Sequence, residues 1–247
     1  MLDIDPSNSD SNSNEQKPTV SSRTTILLHQ KHPAILALSE ADHRLACLIR
    51  LVGELTLTPS ASPFESLAMS IISQQLSTKA AGTIKARVKE IVPEFTPELV
   101  LAADENAIRQ CGVSFPKIRY IRDLSMKVIA GDLRLDALHE LDNEELLKQL
   151  TSVKGIGTWT AEMFMMFALC RQDIMSVGDA GLQRAARWLH QLEERKDGNY
   201  LGQIAPAWSP YRTFASLYLW RAVDMGFVDS GLSVEACLDS SVIVDET

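Results

Sequence analysis

Between Leu150 and Phe164 the chain reads LTSVKGIGTWTAEMF, and Gly155-Ile156-Gly157 interrupts two helical patterns. Two glycines one residue apart open backbone conformations closed to other residues and leave bare N–H groups outward. A helix starting just after them adds a partial positive charge and unpaired donors, which suits a phosphate. Lys154 offers a charge-assisted contact, and Ile156 can anchor the turn in a core. A plain inter-helix turn with a glycine C-cap accounts for one glycine more readily than for two. The pattern alone leaves both readings open, a structural turn or a grip on a DNA backbone. A dinucleotide loop is disfavoured: the third glycine of G-x-G-x-x-G is missing and a helix, not a strand, comes first. Asp179 lies 22 residues beyond Gly157 and opens the run AGLQRAARWLH. By composition alone it reads as an N-cap.

The elements that must position these residues are helical. Apolar periodicity predicts helices near 33–38, 41–52, 63–75, 77–91, 97–110, 116–130, 143–151, 158–170, 180–191, 200–206 and 210–225. TTILL at 24–28 is a modest strand candidate. Thr96-Pro97 and Ser209-Pro210 read as caps followed by proline at the first helical position. Asp142 with Glu145 reads as a capping box. Helix 143–151, the SVKGIG turn and helix 158–170 then form a helix–hairpin–helix. The expected fold is all-α with two helical lobes, as a helical domain over 26–226 between a polar tail at 1–25 and an acidic C-terminal tail at 227–247.

Composition is that of a globular chain, 45% hydrophobic and 23% charged over 247 residues. No apolar run is long enough to span a membrane, so no membrane partner is expected. The N-terminus lacks the basic and apolar regions of a secretory signal, which predicts a cytoplasmic (nucleoid-associated) or nuclear protein. Cys47, Cys111, Cys170 and Cys237 are scattered, without a C-x-x-C pair, so zinc, iron–sulfur and disulfide frameworks are not expected. The net charge of −8 argues against nucleic acid until its distribution is read. Residues 1–25 carry −2 and residues 226–247 carry −5, which leaves the middle near −1. A protein gripping phosphate with backbone N–H groups works with that balance. The five histidines show no paired spacing, and Asp173 reads as a solvated loop acid.

LTSVKGIGTWTAEMFMMFA followed by VGDAGLQRA resembles the signature of the helix–hairpin–helix (HhH-GPD) DNA glycosylase superfamily, within it the AlkA-type 3-methyladenine DNA glycosylase II family. FESLAMSIISQQLSTKAAGTI, CGVSFPKIRYIRDLSMKVIAGDL and WSPYRTFASLYLWRA are similar to further family segments in the same order, so the resemblance covers roughly 33–226. It implies the two-lobed glycosylase fold without the extra N-terminal β lobe of longer members. It makes Asp179 the catalytic carboxylate, compatible with a cap position. It implies cleavage of a base–sugar bond through a cationic, oxocarbenium-like sugar that a carboxylate stabilises, with water as attacking group. Trp159 stands where strand-cutting relatives carry a Schiff-base lysine, which implies a monofunctional enzyme leaving an abasic site.

Trp159, Trp220 and Met163 correspond to base-pocket positions, with Tyr218 ranked lower; ordinary core packing is the bland alternative. Alkylated purines are cationic and attract aromatic faces. Lys154, Gly155, Ile156, Gly157 and Thr158 correspond to the DNA-binding hairpin. Gln75 or Leu76 corresponds to the wedge that fills the gap left by a flipped base, and Ser77 and Thr78 to phosphate contacts. Family hairpins hold a monovalent cation on backbone carbonyls, here those of Val153 and Ile156; no catalytic metal and no cofactor are implied. The implied partner is double-stranded DNA with alkylated bases, met by a monomer. Two rivals remain open: a non-catalytic helix–hairpin–helix DNA-binding protein, and a relative acting on oxidised or mismatched bases.

Overall fold

A computed structural model describes residues 24–192 and 199–245. The expected tail over 1–25 lies outside these residues up to position 23. Strand β1 (Ile26–Leu28) pairs antiparallel with β2 (Leu55–Leu57), Ile26 opposite Leu57. The TTILL strand thus finds its partner in ELTLT, whose three-residue alternation is too short to stand out from helical neighbours. Between them run α1 (Pro33–Ala41) and α2 (His43–Val52). The boundary falls at Asp42, which leaves helical geometry and accepts from the N–H groups of Arg44 and Leu45 to cap α2.

Then follow α3 (Pro63–Ser73), α4 (Thr78–Ile91), α5 (Pro97–Ala102), α6 (Glu105–Gln110), α7 (Phe115–Ala130), α8 (Asn143–Thr151) and α9 (Thr158–Phe167). The helix expected over 97–110 is two, because Asp104 caps a second start at Asn106 and Ala107. Thr96 caps α5 as expected, and Asp142 caps α8 through Glu144 and Glu145 N–H groups. The chain closes with α10 (Ala180–Leu189), α11 (Tyr200–Ile204), α12 (Arg212–Asp224) and α13 (Val234–Asp245). Ser209 does not cap α12: Tyr211 holds that position, and the Ser209 hydroxyl donates to Asp173 at 3.0 Å. Helix α13 lies in the segment expected as an acidic tail. Val234 is fully buried against the α2 lobe, and Glu235 pairs with Arg44 at 3.4 Å. Burying one such side chain contributes about 1.5–3 kcal/mol, enough to dock a short acidic helix.

Two cores result. One gathers α3 to α9, from Phe64 through Ile174. The other joins β1, α1, α2 and β2 to α10–α13, with Leu28, Leu48, Met175, Leu182, Trp208 and Tyr218 among its members. The second lobe is therefore discontinuous in sequence, and the chain passes between cores at Ile174–Met175. Asp173 stands at that crossing. Rather than a solvated acid it is a bidentate partner of Arg212, Nε–Oδ1 2.7 Å and Nη2–Oδ2 2.9 Å. Burial opposes its ionised form, but the Arg212, Ser209 and backbone hydrogen bonds outweigh burial and lower its pKa. Arg171 donates to the carbonyls of Leu138 and Leu141, and the Thr213 hydroxyl donates to Arg171 O at 2.6 Å, so the crossing is bolted to both lobes. Among the described residues no helix is long and apolar enough to cross a membrane.

Asp42 also joins distant parts of the second lobe. It accepts from Trp208 Nε1 at 3.0 Å and meets His190 Nε2 at 3.1 Å. Burial alone would raise its pKa; hydrogen bonds from His190, the Leu45 N–H and Trp208 lower it to about 2. Since the folded pKa lies below the unfolded one, this stabilisation is present above pH ~4 and fades as pH falls toward about 2. Its size is about 1–2 kcal/mol after solvent screening. Asp42→Ala should destabilise by about 2–4 kcal/mol at neutral pH, through the lost cap and an orphaned indole N–H. Urea denaturation between neutral pH and about pH 2 checks this: the gap between variant and native protein should narrow on acidification.

Candidate active site

Asp179 caps α10, its Oδ1 accepting the Leu182 N–H at 2.9 Å. The same carboxylate accepts Trp159 Nε1 on Oδ2 at 2.8 Å and Trp220 Nε1 on Oδ1 at 3.2 Å. Three donors from three elements thus fix one carboxylate: the α10 backbone, α9 and α12. Trp159 is 53% exposed, so a large aromatic face stands open beside an anion. Trp220 packs against both cores, with the Phe167 ring 5.7 Å away. Phe167 was not singled out in the sequence, although Trp159, Met163 and Phe167 fall at i, i+4, i+8 and share one stripe of α9. Met163 is half-buried against the first core. Tyr218 is fully buried and donates to Gly53 O at 3.2 Å, a core role away from this cluster.

The two hairpin glycines do different work. Gly155 has φ +86°, and a Cβ there would run into the Tyr120 ring. The fold itself requires that glycine, whereas its sequence context suggests phosphate approach for both glycines. Gly157 is the N-cap of α9 at φ −87°, a conformation open to any residue, with nothing within 4 Å of a Cβ. No side chain caps α9, so its first N–H groups and the partial positive charge face open space beside Thr158. Ile156 and Val153 are buried anchors, and the Ile156 N–H donates to Val153 O at 3.1 Å. Lys154 is exposed, while its N–H donates to Asp123 at 3.3 Å.

Across an open groove from the hairpin stands the turn after α3. Gln75 sits on it with φ +57°, exposed, with Leu76 exposed beside it. Ser77 accepts the Ala80 N–H as N-cap of α4, and Thr78 is exposed at the first position of that helix. Two further residues hold the turn. Lys117 Nζ donates to the carbonyls of Ile72 at 2.9 Å and Gln74 at 2.6 Å. Gln74 Nε2 donates to Gly155 O at 2.7 Å, which ties the turn directly to the hairpin. Local pattern carries no signal for these bonds, because partners 43 to 81 residues apart meet only in three dimensions.

A bare helix N-terminus, a braced turn facing it across a groove and a carboxylate between two indoles together define a helix–hairpin–helix protein of the base-excision class. The description "HhH-GPD superfamily base excision DNA repair protein" matches residues 68–210, and the chain belongs to that superfamily. The chain is 34% identical to DNA-3-methyladenine glycosylase 1 of Schizosaccharomyces pombe, over 80% of this chain and 92% of that protein. Among solved structures, the DNA-3-methyladenine glycosidase of Bacillus halodurans matches with a TM-score of 0.80 at 41% identity, covering 87% of this chain and 99% of that one. The Schizosaccharomyces pombe Mag1 glycosylase, solved in complex with abasic DNA, matches with a TM-score of 0.68 at 35% identity, covering 78% and 97%.

The different roles of the glycines generate a prediction. Gly157→Val should fold normally yet weaken binding to damaged and undamaged duplex alike by about tenfold or more, since phosphate contacts carry no base information. Lys154→Ala should cost less and lower the salt slope of binding by about one unit. Gly155→Ala should instead destabilise the fold by about 1–3 kcal/mol, through positive φ and the Tyr120 clash. Affinities for an abasic-analogue duplex at several salt concentrations, with circular dichroism melts, check all three. If folded Gly157→Val binds like the native protein, the hairpin is only a turn and the grip belongs to Gln75–Thr78.

Proposed function

We propose that the chain is a monofunctional DNA glycosylase that hydrolyses the N-glycosidic bond of alkylated purines, of the 3-methyladenine and 7-methylguanine type, and leaves an abasic site. The observation that carries the reading is the Asp179 carboxylate held by both indole N–H groups on the cap of α10. The names of the relatives support the same reading. Breaking the base–sugar bond builds positive charge on the deoxyribose, and a fixed anion stabilises that charge without reorganising. Asp179 also orients or deprotonates the attacking water.

Trp159 and Trp220, with Met163 beside them, receive the cationic base; cation–π attraction contributes ~0.5–2 kcal/mol per contact. Such a base leaves readily and needs little acid assistance. Gln75, or Leu76 next to it, fills the vacated stack, while Gly157, Thr158 and Lys154 on one side and Ser77 and Thr78 on the other hold phosphates. Val153 O keeps one lone pair after accepting the Ile156 N–H, so the carbonyl set fits the monovalent cation expected of the hairpin. The cation would add positive charge beneath the phosphate. Every group in this scheme comes from one chain, which supports action as a monomer on duplex DNA.

Asp179→Asn should abolish release of methylated purines, a loss of about a hundredfold or more, while binding to abasic duplex persists. The asparagine keeps the cap but turns its amide toward one indole, and Trp159, already exposed, can donate to water instead. The native protein should leave intact abasic strands and give no borohydride-trapped adduct, since Trp159 offers no amine. Base release by Asp179→Asn at the native rate would move the catalytic role elsewhere, and a trapped covalent complex would refute the monofunctional reading.

A further inference from the structure

One half-buried carboxyl beside this site has no part in the scheme above. Glu162 lies on α9, three residues after Trp159, and accepts the Ser176 hydroxyl on Oε2 at 2.6 Å. Ser176 is fully buried, and its carbonyl accepts the Asp179 N–H at 3.0 Å. We infer that Glu162 is a positioning residue for Asp179, clamping through Ser176 the turn that presents the carboxylate and adding a second negative charge beside it. The inference rests on the catalytic role proposed for Asp179.

Three observations carry it. The 174–179 turn is pinned at three residues: Ile174 N–H to Thr213, Ser176 to Glu162, Val177 O to Gln183. Of these pins only Glu162 is ionisable, and a neutral amide would hold a serine hydroxyl at lower desolvation cost. Among the described residues no lysine, arginine or histidine forms an ion pair with Glu162, so its charge is not spent on a structural bridge. The charge it feels is Asp179: burial raises the Glu162 pKa, the Ser176 bond opposes this, and Asp179 raises it further. Helices α3 and α8 also pack on α9, and among the described residues Asp179 is the charge that raises the Glu162 pKa. A second anion here adds to the negative potential that a cationic sugar would meet. That charge is lost as pH falls through the raised Glu162 pKa, so Glu162 sets part of the acid limb of the rate profile.

Single-turnover release of 7-methylguanine from methylated duplex, with the full chain in excess and pH varied from about 5 to 8, tests both parts. Glu162→Gln keeps an acceptor for Ser176 and removes the charge; its plateau rate should drop about threefold or more and its acid limb should flatten. Ser176→Ala keeps the charge and breaks the clamp; its plateau rate should drop about tenfold, with affinity for abasic-analogue duplex unchanged within about twofold. A shift in only one variant retains that part and discards the other. Native-like limb and plateau in both variants overturn the inference. So does a loss in Ser176→Ala that merely follows weakened DNA binding. Asp179→Asn run alongside separates the failures: if it still releases base, the function reading falls too; if it is inactive while both variants behave as native, only this inference falls.

Discussion

The carboxylate of Asp179 is the point on which the rest of the structure converges. It ends one turn, starts α10 and receives the indole N–H groups of Trp159 and Trp220. Those indoles come from different lobes, α9 in the first core and α12 in the second. A site drawn from two lobes keeps its geometry only if the lobes cannot slide. The Asp173–Arg212 pair, the Arg171 fork and the Thr213 hydroxyl supply that restraint within a few residues of Asp179. A charge-assisted bidentate pair is about twice as strong per bond as a neutral one and also fixes orientation. Precision at the carboxylate thus depends on a lock at the lobe crossing.

The nucleic-acid face follows a similar economy. The central chain is almost neutral, so long-range attraction between protein and duplex is weak. Under the proposed function, short-range groups carry the contact: backbone donors and hydroxyls rather than a basic patch. The Gln74–Gly155 and Lys117–Gln74 bonds join the two sides of the groove. The exposed Gln75 turn and the N-terminus of α9 are therefore held at one spacing. Lys117 serves this purpose by donating to two carbonyls at the end of α3, where helices leave acceptors unpaired. Burial lowers its pKa, as expected of a lysine turned inward to brace a loop.

The sequence by itself determined a good deal. Apolar periodicity placed most helices, and cap residues such as Thr96 and Asp142 marked starts that the structure retains. These are local effects, set by backbone donors within one turn of the cap, so local pattern reads them. The glycine turn and the spacing from Gly157 to Asp179 carried the resemblance, and the matching superfamily follows from them. Where local reading went astray, longer-range bonds had intervened. Asp173, expected as a solvated acid, found Arg212 39 residues away. Helix α13 hid among acids because its support lies on α2, far away in sequence.

Only the tertiary structure decided which residues share a site. Whether a tryptophan is core or pocket depends on what lies beyond its helix face, which no periodicity encodes; Tyr218 went inward and Trp159 outward. The two glycines look equivalent in sequence, yet Tyr120 from α7 makes one a packing requirement and leaves the other facing open space. The second lobe is assembled from both ends of the described chain, so its composition as a unit is invisible along the sequence. A sequence records residue types and near-neighbour order, which set helices and caps. The meeting of α9, α10 and α12 around one carboxylate is set by two cores packing across a locked crossing.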